Sequence, residues 1–173
     1  NPMHKSLLVF CALAGGLATS LTSAAQLEIE VQIPRLQVAE YHRPYVALWL
    51  EQDDQHIADI AVWYDLRLAD QEGEKWLKDL RQWWRRSGRG LEMPIDGLSA
   101  ATRPPGTHRL QLDGAQAPLE KLEPGAYALV IEAAREVGGR ELLRLPFQWP
   151  PQQSLTSSAL GNSELGRVRL SVS

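Results

Sequence analysis

Short segments that alternate between apolar and polar residues, or that are almost wholly apolar, recur along most of this 173-residue chain. Both patterns are typical of β-strands, with one buried face or with two. These segments are 27–33, 46–51, 56–64, 108–113, 126–133, 141–149 and 168–172. The acidic turn at 52–55 and the Gly138-Gly139 pair each predict an antiparallel hairpin between the segments they separate. These short strands, with regular turn signals between them, therefore predict an all-β protein.

The period changes to that of an α-helix between residues 76 and 84. The bulky apolar positions there follow the spacing i, i+1, i+4, i+7 and i+8, which places them on one helix face. They are Trp76, Leu77, Leu80, Trp83 and Trp84. Gly88 follows and predicts a left-handed helix stop. The predicted fold class is an immunoglobulin-like β-sandwich with one inserted amphipathic α-helix, and residues 26–173 are predicted to form a single domain.

The first 25 residues have the composition of a secretory signal peptide. Positive residues at 4–5 precede an apolar run at 7–17, which is too short to span a bilayer comfortably, and small residues follow it. Asn1-Pro2 stand before Met3 and are interpreted as an addition to the natural sequence. We expect export to the periplasm with cleavage of this segment; the alternative is an uncleaved N-terminal anchor.

Composition narrows the chemistry that the exported domain can perform. The only cysteine, Cys11, lies in the apolar leader, so we expect no disulfide, iron–sulfur cluster or thiolate zinc site. A formal net charge of −3 argues against general nucleic-acid binding. His42, His56 and His108 have no partners at ligand spacing, so no metal site is predicted. The sequence has no nucleophile elbow and no phosphate-binding glycine loop, and no catalytic residue is assigned.

A stretch after the predicted helix has the composition of an ordered, exposed loop. It reads Asp96-Gly97-Leu98-Ser99-Ala100-Ala101-Thr102 and continues as Arg103-Pro104-Pro105-Gly106. Pro104 favours extended geometry at Arg103, and Pro-Pro-Gly favours a tight turn. We therefore predict that Thr102 lies on a stiff stretch of backbone, with its hydroxyl accessible to solvent.

The run Asp-x-x-Ser-x-Ala-Thr resembles the acceptor motif of bacterial flavin transferases. Those exported enzymes join flavin mononucleotide (FMN), through its phosphate, to the hydroxyl of the final threonine of the motif. On this resemblance, FMN would be held covalently on Thr102 by a phosphoester, and Asp96 and Ser99 would help the transferase to orient the loop. Ala100 stands where the motif usually has glycine, and its Cβ would cost roughly 1 kcal/mol if the site required a positive φ. The cofactor-binding residues predicted within the motif and directly after it are Asp96, Gly97, Ser99, Ala100, Ala101, Thr102 and Arg103.

Several further stretches together resemble a family of exported bacterial proteins, domain of unknown function 2271 (DUF2271). They are 43–49, 80–86, 101–106, 124–127, 132–136 and 160–166. The resemblance implies a periplasmic protein that works beside PepSY-type membrane reductases and flavin transferases, in systems for metal or siderophore reduction.

The tryptophans and arginines near the motif have two interpretations each. Trp76 and one of Trp83 and Trp84 would pack in the core, and the remaining indole would stack on the flavin ring near Thr102. Guanidinium groups could pair with the flavin phosphate, or they could form a solvated basic face. The arginines concerned are Arg85, Arg86, Arg89 and Arg103.

The predicted function is extracytoplasmic electron transfer by a flavin carrier. Electrons would arrive from the membrane reductase and leave to a soluble acceptor such as a ferric chelate, while the protein positions the flavin. One alternative is a cofactor-free binding module of a metal or siderophore system. Another is a carbohydrate-binding module that uses exposed tryptophans.

Overall fold

Two β-sheets make up most of the computed structural model, which describes residues 23–173. The strands are β1 Gln26–Ile33, β2 Tyr45–Gln52, β3 Gln55–Tyr64, β4 Ser99–Ala101, β5 Gly106–Asp113, β6 Gly125–Ala134, β7 Arg140–Trp149, β8 Leu155–Leu160 and β9 Arg167–Val172. One sheet has the order β5-β1-β9-β8, and the other has the order β4-β3-β2-β6-β7. The predicted hairpins β2–β3 and β6–β7 are both antiparallel pairs. The prediction of an all-β sandwich is confirmed at this level, whereas its immunoglobulin-like assignment stays a prediction.

The predicted signal peptide falls almost wholly outside the described residues. Among residues 23–173, no helix is both long and apolar enough to cross a membrane.

The two sheets enclose the larger of two hydrophobic cores. Alternate residues of β1, such as Ile29 and Val31, point inward and are fully buried. They meet inward residues of β2, β6 and β7, including Leu48, Ile131 and Phe147. Burial of this apolar surface is the main source of stability in a domain without disulfides.

A second core lies on the other face of the five-stranded sheet. There Ala47 and Trp49 of β2 and Val62 and Tyr64 of β3 are covered by residues 77–83. Because β2 is covered on both faces, Tyr45 to Glu51 are all buried. This explains why the sequence of β2 is almost continuously apolar instead of alternating.

The covering segment is not the single α-helix that the periodicity predicts. A 3-10 helix spans Ala69–Asp79, α1 spans only Arg81–Arg86, and a second 3-10 turn spans Gly88–Gly90. Asp70 and Gln71 have positive φ angles, which interrupt the first helix. The predicted left-handed stop is wrong, since Gly88 is not among the residues with positive φ.

Glycine is required at position 88 because the backbone there lies close to the indole of Trp83. A Cβ at this position would lie 2.4 Å from Cζ3 of Trp83. Only glycine lets the backbone pass so close to the ring, so the residue serves packing and not helix termination.

Two short strands were absent from the sequence prediction. β4 has only three residues, and β8 lies within a segment that reads as a polar loop. Five of the six residues of β8 are exposed, so its sequence lacks the alternation that burial of one face imposes.

Candidate functional site

The first half of the acceptor-like motif forms a tight turn that leads into β4. The backbone N–H of Ser99 donates to the carbonyl of Ile95 at 2.9 Å, and the hydroxyl of Ser99 accepts from the N–H of Ile95 at 2.9 Å. Gly97, with a φ of 77°, supplies the left-handed residue of the turn, and Asp96 is exposed. The side chain of Ser99 therefore holds the turn together.

The second half of the motif is a short edge strand and not a loop. β4 pairs in parallel with β3, so that Ala100 lies opposite Trp63 and Ala101 opposite Tyr64. Ala100 is half-buried, packs against the core between the sheets and is not among the residues with positive φ. The strain expected from its Cβ is thus absent, because a strand accommodates alanine without a left-handed backbone.

Thr102 begins the crossover from one sheet to the other. Its N–H donates to the carbonyl of Tyr64 at 3.2 Å, which extends the pairing with β3 by one hydrogen bond. The residues from Thr102 to Pro105 then lead into β5, the edge strand of the opposite sheet. Thr102 is half-buried, and its side chain forms none of the hydrogen bonds found among residues 23–173.

A cleft of about 480 Å³ opens beside Thr102. This volume lies in the range of small-molecule sites, roughly 300–1,000 Å³. The cleft follows the ends of the strands as far as residues 134–137, at the end of β6. Because β4 and β6 are three positions apart in the sheet, its two ends are separated by about 14 Å at the usual strand spacing.

Trp76 is the indole that lines this cleft, and it is 48 % exposed. This corrects the interpretation that placed Trp76 in the core. Trp83 is 0 % exposed, so it offers no face on which a flavin ring could stack. Trp84 is half-buried in a separate depression beside Leu91 and Met93. The structure thus brings neither Trp83 nor Trp84 to Thr102.

The predicted phosphate-binding arginines also lie elsewhere or have other partners. Arg86 contacts the Asp54 carbonyl and lies 3.8 Å from Glu51, at the end of β2 that is remote from the cleft. Arg85 donates to Gln82. The Nη1 of Arg103 donates to the carbonyl of Ala101 at 3.0 Å, and its guanidinium lies 5.1 Å from the centre of the Trp63 ring. Arg89 is exposed and does not line the cleft.

Arg43 is the cation that sequence reasoning missed. It lines the cleft with Tyr41 and Trp76, is exposed, and has no ion pair within the described part of the chain. The fragment Arg43-Pro44-Tyr45 belongs to a stretch that carries the family resemblance. No local pattern connects it with Thr102, because the two are 59 residues apart in sequence.

Carboxylates share the cleft with Arg43. Asp65, Asp79 and Glu136 all line it, and Glu136 lies 3.5 Å from Nδ1 of His42. Residues 23–173 contain no cluster of three or more side chains that could hold a metal ion. The cleft therefore offers side chains of both charges and aromatic surface.

A buried ion pair fixes the wall formed by residues 134–137. Nε of Arg135 lies 2.8 Å from Oε2 of Glu164, and both side chains are more than nine-tenths buried. Oε1 of Glu164 also accepts a 3.0 Å hydrogen bond from the N–H of Gly139. One carboxylate thus holds both sides of the β6–β7 turn in place beside the cleft.

Two further carboxylates hold the covering segment that carries Trp76. Glu132, fully buried in β6, accepts hydrogen bonds from the N–H groups of Gln82 and Trp83 at 3.0 and 2.8 Å, at the start of α1. Asp59 in β3 accepts from the indole of Trp83 at 2.9 Å and from the hydroxyl of Ser87 at 2.6 Å. Trp76 is therefore presented by a segment anchored through charged acceptors in the sheet.

Comparison with known proteins places most of the chain in one family. A family model described as "Predicted periplasmic protein (DUF2271)" matches residues 26–167. The comparisons with curated proteins and with solved structures gave no match. The matched range runs from the first residue of β1 to the first residue of β9. It contains the five-stranded sheet, the covering segment, the cleft and the strands β1, β5 and β8 of the other sheet. The chain belongs to the DUF2271 family of predicted periplasmic proteins.

Proposed function

We propose that this protein is an extracytoplasmic flavin carrier, exported through a cleaved signal peptide, with FMN esterified to Thr102. The observation that carries the proposal is the shared position of Thr102 and Trp76, which line one cleft of about 480 Å³. Thr102 would supply the hydroxyl for attachment, and the exposed Trp76 indole would give a surface on which the flavin ring could stack.

Attachment at Thr102 is a substitution at phosphorus. The oxygen of Thr102 forms the new P–O bond, the pyrophosphate P–O bond of a flavin dinucleotide breaks, and a nucleoside monophosphate leaves. The hydroxyl proton passes to a base of the transferase. Half-burial of Thr102 at the mouth of a cleft is compatible with this step, since no side-chain hydrogen bond within the described chain competes for the hydroxyl.

The other residues of the cleft would contact the flavin ring and its phosphate. The indole of Trp76 and the phenol ring of Tyr41 give aromatic surface, and the Arg43 guanidinium gives a cation for the phosphodiester. Burial raises the pKa of Tyr45, whose hydroxyl donates to the carbonyl of Gly73 at 2.8 Å, so this residue stays neutral in the cleft wall. When bound, FMN would supply reversible transfer of electrons and hydride.

The partners follow from this role. A flavin transferase would modify Thr102, a PepSY-type membrane reductase would deliver electrons, and a soluble acceptor such as a ferric chelate would receive them. A covalent link suits this setting, because a dissociated flavin would be lost by dilution outside the cytoplasm.

Co-expression with a flavin transferase tests the attachment. We expect flavin fluorescence that survives denaturing electrophoresis, and an intact mass increased by FMN less one water. Thr102→Ala should abolish both, and Thr102→Ser, which keeps a hydroxyl, should retain them. Thr107→Ala is the matched control, since Thr107 is an exposed threonine on the neighbouring strand β5. Labelling that survives Thr102→Ala, or no labelling of the parent protein, would overturn the proposal.

A second candidate is the cofactor-free binding module, and the three carboxylates of the cleft favour it. Asp65, Asp79 and Glu136 beside Trp76 suit an organic cation or a cationic chelate, held by charge and by the indole face. Titration of the unmodified protein with such cations, followed by Trp76 fluorescence, separates the two candidates. Saturable quenching in a protein that no transferase labels would favour the module.

A further inference from the structure

Within residues 23–173, the sandwich has four edge strands, two in each sheet. They are β5 and β8 in the four-stranded sheet, and β4 and β7 in the five-stranded sheet. An edge strand exposes unpaired backbone N–H and C=O groups, which can pair with a strand of another chain. Soluble proteins protect such edges by shortness, charge or proline.

Three of the four edges carry such protection. β4 has only three residues. β7 contains Pro146 and the charged residues Glu141 and Arg144. β5 carries Arg109, whose guanidinium lies 2.8 Å from Glu30 of the neighbouring strand.

β8 has none of these features. Its sequence Leu-Thr-Ser-Ser-Ala-Leu is uncharged, and the uncharged run extends from Leu145 to Ser163. Leu155 and Leu160 at its two ends are 57 % and 67 % exposed. A groove of about 920 Å³ lies beside the first half of the strand, between it and β7.

The strand is nevertheless held firmly on its inner side. All six residues pair with β9, and Thr156 contacts Ser171 through their hydroxyl oxygens at 3.1 Å. The turn after β8 is fixed by Glu141, which accepts from the N–H groups of Asn162 and Leu165 at 2.7 and 2.9 Å. β8 therefore presents a preformed edge, paired along its whole length with β9, that needs little ordering before it pairs with another strand.

We propose that β8 is a self-association edge, at which a second copy of this chain adds its own β8 in antiparallel orientation. A two-fold axis normal to the sheet would join the two four-stranded sheets into one of eight strands. That axis places inward residues opposite inward residues, and in β8 these are Leu155, Ser157 and Ala159, which lie opposite buried residues of β9. The outward set is Thr156, Ser158 and Leu160.

The absence of charge on this edge suits pairing with a second copy of the chain. In a two-fold contact, a charged residue near the axis lies close to the same residue of the other copy. Like charges that lie directly opposite each other destabilise a strand pair. β8 meets this condition, because the nearest charges of its sheet, Arg167 and Arg169, are on β9. A different protein recognised through charge would find none on β8. Thr102 lies in the crossover between β4 and β5, the edges opposite β7 and β8, so the contact leaves it free.

Sedimentation of the exported protein tests the proposal. We expect a dimer, and Ser158→Lys should weaken it at least ten-fold because two ammonium groups would meet near the axis. Thr107→Lys is the matched control: it adds the same charge to β5, the other edge of the same sheet, and should leave the dimer unchanged. A monomer at all concentrations, or equal effects of the two lysines, would overturn the proposal.

Cross-linking gives a readout that does not depend on the fold tolerating lysine. In a Cys11→Ser background, Ser157→Cys or Ser158→Cys lies at or next to the axis, and mild oxidation should give a disulfide-linked dimer. Thr107→Cys should stay monomeric. Cross-linking that is equal at all three positions, or a β8 edge that captures only a different protein, would refute self-association.

Discussion

The Trp83 indole donates a 2.9 Å hydrogen bond to Oδ1 of Asp59, and this bond ties the covering segment to the five-stranded sheet. Oδ2 of the same carboxylate accepts from the Ser87 hydroxyl, and His56 Nε2 lies 3.0 Å from Oδ1. Three side chains from two elements thus depend on one carboxylate. Since this segment also carries Trp76, the position of the cleft wall depends on Asp59.

Asp59→Asn should lower the free energy of unfolding by about 2 kcal/mol. The amide presents an NH₂ group where buried donors need an acceptor, and an unsatisfied buried donor costs roughly 1–3 kcal/mol. Urea denaturation followed by tryptophan fluorescence measures the loss. Asp53→Asn makes the same change of charge at an exposed residue in the turn of the same hairpin, and it should have little effect. Equal losses in both variants would show that Asp59 has no special role.

The protein should lose stability in acid, and Asp59 should account for part of this loss. Burial acts to raise the pKa of Asp59, but hydrogen bonds from His56 and Ser87 outweigh it, so the folded-state pKa is lowered. A lowered folded-state pKa means that the contribution is complete above the unfolded value, about 4, and disappears as the pH falls through the folded value. The folded-state pKa of Glu51 is also lowered: burial acts to raise it, but hydrogen bonds from Arg144 and Trp49 outweigh that effect.

Unfolding free energies measured at a series of pH values below neutrality check this prediction. Asp59→Asn should show a shallower decline below about pH 4 than the parent protein, because one linked proton is removed. Parallel curves for the two proteins would contradict the assignment.

Gly88→Ala should destabilise the protein by about 1–3 kcal/mol, the usual range for overpacking of a core. The new Cβ would lie 2.4 Å from Cζ3 of Trp83, so the buried indole would have to move. Gly90→Ala is the matched control in the same 3-10 turn, since nothing lies within 4 Å of its Cβ. That control should be neutral or stabilising by roughly 0.5 kcal/mol through a smaller unfolded-state entropy. Thermal melts of both variants give the comparison, and a harmless Gly88→Ala would argue against the close contact.

The strands were predictable from the sequence where burial of one face imposes an alternation of apolar and polar residues. β1 was expected at 27–33 and spans Gln26–Ile33, because its inward residues are buried and its outward residues are polar. β8 was missed because neither of its faces is buried. The covering segment was predicted as one helix, since periodicity reports which residues are apolar and does not detect the positive φ angles at Asp70 and Gln71.

The candidate site was predictable only in part, for a different reason. Thr102 was identified from a local motif, whereas its neighbours across the cleft come from residues 41–45 and 134–137. These segments meet because Tyr45 pairs with Ala134 in the register of β2 and β6, and Tyr64 of β3 receives the N–H of Thr102. Such a juxtaposition depends on strand pairing and leaves no local signal. The helical spacing of the apolar residues at 76–84 likewise could not show that Trp76 is exposed and Trp83 buried.

Trp76→Phe should leave the free energy of unfolding within about 0.5 kcal/mol of the parent value, as for most surface substitutions. Trp83→Phe should cost about 2–3 kcal/mol, since it leaves a cavity and removes a buried hydrogen bond to Asp59. Acrylamide quenching tests the exposure independently of stability. Loss of Trp76 should remove the most accessible part of the fluorescence, and retention of that part in Trp76→Phe would place the exposed indole elsewhere.

Ala100→Gly tests whether the alanine in the acceptor-like motif strains the backbone. Ala100 pairs with Trp63 in β4 and packs against the core, so the substitution relieves nothing and removes a half-buried methyl group. We expect a loss of about 1 kcal/mol, made up of backbone entropy and lost burial. Ala126→Gly, at an exposed position of β6, reports the entropy cost alone and should lose less. In co-expression with a flavin transferase, Ala100→Gly should not raise the yield of labelled protein, because the parent already has the strand geometry. A more stable variant, or a higher yield, would mean that glycine suits this position better than the strand pairing indicates.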